Sequence, residues 1–243
     1  VDIDEGAVEI CKLRLWLSMV ADIEDEPNEV EPLPNIDFNI RQGNSLIGFT
    51  DLVEVTDEGD ASLNNWGGGV GSGVRDLYQD VIDAIERHRD ATSASEAANA
   101  RRVAESKIAA HSEELNEKVI DQFETAGVES VDKESVKEFS PFHWVLEFAP
   151  VYESGGFDVV IGNPPWDRVK PLRDDFFSKY DETFRTRKPD DKDKKQEELL
   201  SENEIAAEWE AYQEEMETRA EFFKNSPEYR LQRPEIDGRV KPN

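Results

Sequence analysis

The chain has 243 residues, enough for one sizeable core or part of a larger one, and sets 28 Lys and Arg against 56 Asp and Glu for a formal net charge of −28. That balance excludes the ordinary nucleic-acid binder with basic stripes, and a single cysteine, Cys11, excludes an internal disulfide or a thiol metal cluster. No run approaches a membrane span and no signal peptide is present, so a cytoplasmic protein is expected.

Two explanations of the acidity stand side by side. One is a partner other than nucleic acid. The other is a very salty cytoplasm, where a carboxylate-rich surface keeps a protein hydrated. Asp and Glu are scattered through nearly every segment rather than gathered in a tail, which favours the second. It predicts that folding and activity require molar salt.

Val1-Asp2-Ile3-Asp4 reads as the end of a strand, and a helix of about sixteen residues should follow. Ala7, Val8, Ile10, Cys11, Leu13, Leu15, Trp16, Leu17 and Val20 recur at helical spacing and predict a broad buried face, with Cys11 on its inward side. Asp4 and Glu5 stand where carboxylates cap free N–H groups and favour the helix dipole. A strand that ends in an acid and feeds a helix recurs in nucleotide-binding α/β folds, where the acid accepts hydrogen bonds from ribose hydroxyls. The bland alternative is an acidic helix start.

Residues 22–34 are acidic and proline-bearing, a loop. The period-two pattern of Asn35-Ile36-Asp37-Phe38-Asn39-Ile40 predicts a strand, and Arg41 to Gly48 its glycine-punctuated exit, with Asn44 at the turn. The glycine run within 64–73 has no Lys-Ser/Thr pair after it and no strand close before it, so it reads as a hinge and not a phosphate loop. From Asp76 to about Ala126 the chain is charged and helical, with a thin stripe of Leu77, Val81, Ile85, Val103, Ile108, Leu115, Val119 and Phe123 that predicts a helical hairpin or short coiled coil. Gly127 is its stop.

Ser140 to Tyr152 is aromatic and bounded by prolines. His143 beside Trp144 reads as a packed residue before it reads as a base. Phe157 to Ile161 then suits a buried parallel strand. Gly162 allows a turn, and Pro164 and Pro165 fix two φ angles and remove two donors, holding Asn163 extended. This rigid exit offers an amide oxygen at Asn163, a carbonyl at Pro164 and an indole face at Trp166, a set that suits a planar amino-substituted heterocycle. Arg168, Lys170 and Arg173 form the basic part of a mixed-charge area beyond it, suited equally to phosphate contact or to solubility. A helix is expected over 196–224, with a core-like stripe of Leu199, Ile205, Trp209, Tyr212, Met216, Ala220 and Phe223.

Three blocks in this order resemble the large adenine-specific DNA methyltransferases of type IIG restriction–modification and phage-defence systems. They are Val1-Asp2-Ile3-Asp4-Glu5-Gly6-Ala7-Val8-Glu9-Ile10-Cys11-Lys12-Leu13-Arg14-Leu15-Trp16-Leu17, Leu33 to Gly48, and the Asn163-Pro164-Pro165-Trp166 corner after its strand. Phe142-His143-Trp144 is similar to a phrase of the same family. The resemblance covers roughly a third of the chain. It implies that Asp2 binds the ribose of S-adenosylmethionine, that Ile3 neighbours the cofactor's adenine ring, and that Asn44 accepts a hydrogen bond from that ring's amino group. It implies that Asn163, Pro164, Pro165 and Trp166 are catalytic, holding an adenine flipped out of double-stranded DNA, since its amine is unreachable inside the stack.

The implied fold is α/β, a partial Rossmann-like methyltransferase sheet with a long helical insertion. Its parts are a cofactor half over 1–50, a hinge and helical insertion over 51–139, the catalytic strand and corner over 140–180, and a charged helical tail over 181–243. The family's glycine-rich cofactor loop does not occur in the chain, which begins without Met and reads as an internal fragment, from a halophilic archaeon by its acidity. Activity of the fragment by itself is therefore in doubt. A fused or separate nuclease, or another defence-system subunit, is an expected partner. The competing function is a non-catalytic methyltransferase-like scaffold that binds a protein.

Overall fold

The computed structural model describes residues 1–23, 35–51, 70–128, 130–162, 169–227 and 229, and the backbone of 235–236 and 239–240. The expected loop beyond Ile23, the glycine run before Val70 and the Asn163–Trp166 corner lie outside the described residues. The chain divides into two compact units, Val1–Asp121 with Val131–Ile161, and Gln122–Ser130 with Gly162–Asn243.

The first unit opens with helix α1 (Glu5–Ala21). Asp4 caps it as expected, its side chain accepting from the Ala7 N–H at 2.6 Å, while Asp2 Oδ1 accepts from the Asp4 N–H at 2.9 Å. The expected burial is not found. Val8 is buried, but Ile10, Leu13, Leu15, Trp16, Leu17 and Val20 are exposed, and so is Cys11. The helical spacing is real, but of the face it defines Val8 is the residue that is buried among the described residues.

The strand expected at 35–40 is a turn, closed by the Asn39 N–H donating to the Ile36 carbonyl at 2.9 Å. Alternation places Ile36, Phe38 and Ile40 on one side, but only Phe38 is fully buried, and Asn and Asp favour a turn. The structure keeps two isolated parallel bridges, Asp2 with Gln42 and Asn44 with Pro141. Phe157 to Ile161 is likewise not a strand: it is unpaired among the described residues, with Val159, Val160 and Ile161 at 71%, 73% and 91% exposure. A strand is completed by a neighbour's N–H and C=O groups, and apolar composition cannot supply one. The expected α/β sheet is thus absent among the described residues, which are mostly helical.

Helices α2 (Val70–Arg89) and α3 (Ala94–Thr125) run as an antiparallel pair, as the sequence predicted. Asp80 bridges them, meeting Lys107 Nζ at 2.7 Å and His111 Nε2 at 3.1 Å, and the His88 Nδ1 meets the Ala97 carbonyl at 2.9 Å. Of the stripe expected on α3, Ile108, Leu115, Val119 and Phe123 are buried, while Val103 is half-buried and its neighbour Ala104 is buried. On α2 the buried face is Val74, Tyr78, Val81, Ile82 and Ala84, while Leu77 is exposed. Tyr78 departs from helical geometry (φ −121°, ψ 27°), and this kink shifts the face from the one a straight helix predicts. Gly127, at φ +82°, ends α3 with the Val128 N–H donating to the Phe123 carbonyl at 2.9 Å.

The first unit continues through three short helices, α4 (Lys133–Glu138), α5 (Trp144–Glu147) and α6 (Ala149–Glu153). α2 packs against both α5 and α6.

The second unit contains α7 (Arg173–Phe177), α8 (Pro189–Leu200) and α9 (Asn203–Asn225). Phe176, Phe177, Phe184, Leu199 and Ile205 form its core, with Tyr180, Trp209 and Tyr212 packed against it. The single helix expected over 196–224 is two helices. Ser201 breaks it, its Oγ donating to the Glu198 carbonyl at 2.6 Å, and the turn lets Leu199 and Ile205 share one core. Further along, Phe222 is the buried ring of the pair Phe222–Phe223. The described strands are the short antiparallel pair β1 (Glu235–Ile236) and β2 (Arg239–Val240).

Candidate cofactor site

Asp2 and Asn44, forty-two positions apart, are brought to neighbouring rungs by the two parallel bridges. The Gly43 N–H donates to the Asp2 carbonyl at 2.9 Å, the Asp2 N–H donates to the Arg41 carbonyl at 3.3 Å, and the Asn44 N–H donates to the Ser140 carbonyl at 2.7 Å. Asp2 and Ile3 are exposed, and Asn44 is buried.

Asn44 Oδ1 accepts from the Leu46 N–H at 3.1 Å, whereas its Nδ2 is buried with no hydrogen-bond partner. An orphaned buried amide donor costs on the order of 1–3 kcal/mol, and an incoming acceptor removes that cost. The sequence reading gave Asn44 the part of acceptor, which the second lone pair of Oδ1 still permits, and its Nδ2 is a donor without a partner besides. Asp2 gives one carboxylate oxygen to the Asp4 N–H and keeps further lone pairs for hydroxyl groups. This set fits a ribose and a ring nitrogen beside it.

The loop behind these groups is held tightly. Gly43 (φ +154°) and Gly48 (φ +129°) both lie against Phe142, where a Cβ on Gly48 would stand 2.3 Å from the Phe142 carbonyl oxygen. The Phe142 N–H donates to the Ile47 carbonyl at 2.7 Å, and Trp144 Nε1 donates to the Ser45 carbonyl at 3.3 Å. His143 is fully buried: Nδ1 accepts from the Phe49 N–H at 3.4 Å, Nε2 faces Asn116 Oδ1 at 3.0 Å, and its ring stacks on Phe49. Burial brings its pKa down to about 4, so the imidazole is neutral at ordinary pH. The reading of His143 as a packed residue agrees with this geometry.

Sequence reasoning missed Arg41 and Glu147. Arg41 Nε donates to Glu147 Oε2 at 2.7 Å, both side chains are largely buried, and the guanidinium lies over the Phe38 ring at 5.1 Å. Burial raises the Glu147 pKa, and Arg41 works against that rise. The signal was a lone carboxylate inside an aromatic stretch.

Arg168, like the Asn163–Trp166 corner, lies outside the described residues. Lys170 is exposed. Arg173 is already engaged, meeting Asp193 at 2.7 Å and lying over Phe184 at 5.6 Å.

These contacts fix loop 43–49 against segments far away in the sequence, and the comparisons give the class. Residues 1–199 match the Eco57I restriction-modification methylase family, and the chain belongs to that family. It is similar to a protein of Methanocaldococcus jannaschii named as a candidate type II restriction enzyme and methyltransferase, 28% identical over a 218-residue alignment that covers 70% of this chain. The chain spans 18% of that relative's length. No solved structure matches. Members of a methylase family generally use S-adenosylmethionine as methyl donor. Among the described residues no helix is long and apolar enough to cross a membrane.

Proposed function

We propose that this chain is part of a site-specific DNA methyltransferase that moves a methyl group from S-adenosylmethionine to the exocyclic amine of an adenine flipped out of the duplex. The observation that carries the reading is the adjacency of Asp2 and Asn44, which the parallel bridge at Gln42 brings together across forty residues of chain. Family membership supports the rest. Asp2 holds the ribose hydroxyls, Ile3 contributes apolar surface, and Asn44 donates to the cofactor's ring. The cofactor supplies an electrophilic methyl group on a sulfonium.

The chain's own part in the transfer is positional and electrostatic. Asn163, through its side-chain oxygen, and Pro164, through its carbonyl, accept the hydrogens of the target amine and stabilise the positive charge that develops on its nitrogen. Pro165 stiffens the corner and Trp166 stacks on the flipped base. No covalent enzyme intermediate is required. Arg168 and Lys170 are suited to the DNA backbone, whereas Arg173 has to leave Asp193 before it can join them. We read the two parallel bridges as the ends of strands in a Rossmann-like sheet, and the acidity as an adaptation to a salty cytoplasm. A nuclease, fused or separate, is the expected companion.

The test is Asn163→Ala in the full-length protein. Methyl transfer to DNA should fall by at least a hundredfold while S-adenosylmethionine binding is kept. Transfer at the wild-type rate would overturn the catalytic assignment and favour a protein-binding scaffold.

A further inference from the structure

Several contacts converge on the loop 43–49 from the segment 140–145, and no residue of that segment is assigned above to the cofactor or the base. The Ser140 carbonyl, presented from a left-handed residue (φ +50°), takes the Asn44 N–H at 2.7 Å. The Phe142 ring and backbone fill the space that glycines at 43 and 48 leave open. Trp144 Nε1 donates to the Ser45 carbonyl at 3.3 Å, and His143 Nδ1 accepts from the Phe49 N–H at 3.4 Å. The same segment also meets the start of the catalytic stretch, because Phe157 lies edge-on to Trp144 at 6.3 Å and to Phe148 at 5.4 Å.

We infer that His143 is a positioning residue for cofactor binding: by accepting the Phe49 N–H it holds loop 43–49 so that the Asn44 amide is offered to the ligand. This rests on Asn44 binding the cofactor, as proposed above. The geometry requires one tautomer. Nδ1 must be bare to accept from Phe49, so Nε2 carries the hydrogen and donates to Asn116 Oδ1 at 3.0 Å. A protonated ring would turn an acceptor into a donor facing another donor.

The experiment compares the wild-type full-length protein with His143→Ala, His143→Asn and Asn116→Ala. The Asn variant keeps an acceptor near the Nδ1 position; the Asn116 variant leaves His143 in place but frees its ring. S-adenosylmethionine binding is measured by calorimetry, and exchange of the Phe49 amide hydrogen by mass spectrometry without cofactor. His143→Ala should weaken binding about tenfold, the loss of one buried hydrogen bond, with Phe49 exchanging faster and kcat at saturating cofactor changed less than threefold. His143→Asn should restore most of the affinity and Asn116→Ala should lie between. Should His143→Ala fail to fold, the Asn and Asn116 variants carry the comparison. Wild-type affinity in every folded variant would overturn the inference while leaving the methyltransferase reading intact. Absence of S-adenosylmethionine binding by the wild-type protein would overturn both.

Discussion

Burial keeps the His143 imidazole uncharged down to a pKa of about 4, against about 6.5 for an exposed histidine. The unfolded chain therefore binds this proton first. The contribution of His143 is fully present above about pH 6.5 and is lost as pH falls toward 4, a swing of roughly 3 kcal/mol. Urea unfolding at a series of pH values should show that His143→Asn flattens the acid limb relative to wild type; identical limbs would mean that the ring titrates freely. Arg41 and Glu147 give a second case. Arg41→Ala leaves a buried carboxylate without its partner and should cost about 3–5 kcal/mol at neutral pH. Because burial already raises the Glu147 pKa, the cost should shrink as the pH is lowered and the carboxyl takes up a proton. Urea midpoints of the variant at neutral and acid pH check this, and a pH-independent cost would contradict it.

At the scale of elements, the turn at 43–49 depends on glycine more than on hydrogen bonds. Gly48→Ala combines a left-handed φ of +129° with a backbone oxygen 2.3 Å from the new Cβ, and should cost more than about 3 kcal/mol. Gly127→Ala has a left-handed φ of +82° but open space around it, and should cost only about 1–2 kcal/mol. Equal losses in urea unfolding would show that φ alone matters at both positions. Sequence reasoning read the α2–α3 pair, the Asp4 cap and the Gly127 stop correctly, because each depends on spacing or on one local backbone conformation. On α2 it placed Val81 correctly and misplaced Leu77, since no spacing rule foresees the kink at Tyr78. It made strands of 35–40 and 157–161, since an apolar pattern does not say whether a neighbour is present to complete the ladder. In the candidate site, the motifs nominated Asp2 and Asn44, whose roles are part of the proposal. The hold of Phe142 and His143 on their loop became visible only when segments nearly a hundred residues apart were brought together.

Over the whole molecule, a net charge of −28 is a source of self-repulsion that salt relieves. The screening length falls from about 10 Å at 0.1 M to about 3 Å at 1 M. The thermal unfolding midpoint should therefore rise by several degrees or more from dilute buffer to molar KCl, and full stability in dilute buffer would sink the halophilic reading. Salt acts in the opposite direction on DNA binding, weakening each phosphate contact. On the proposed function, the hold on the target would then come from the pocket around the flipped base more than from the backbone.

The central claim is the chemistry, and the product tests it most directly. Full-length protein is incubated with double-stranded DNA and isotope-labelled S-adenosylmethionine in molar KCl. The DNA is then digested to nucleosides and the labelled species identified by mass spectrometry. The account predicts N6-methyladenine, lost in Asn163→Ala. Label on cytosine or on protein, or none on DNA from a folded, cofactor-binding protein, would contradict it.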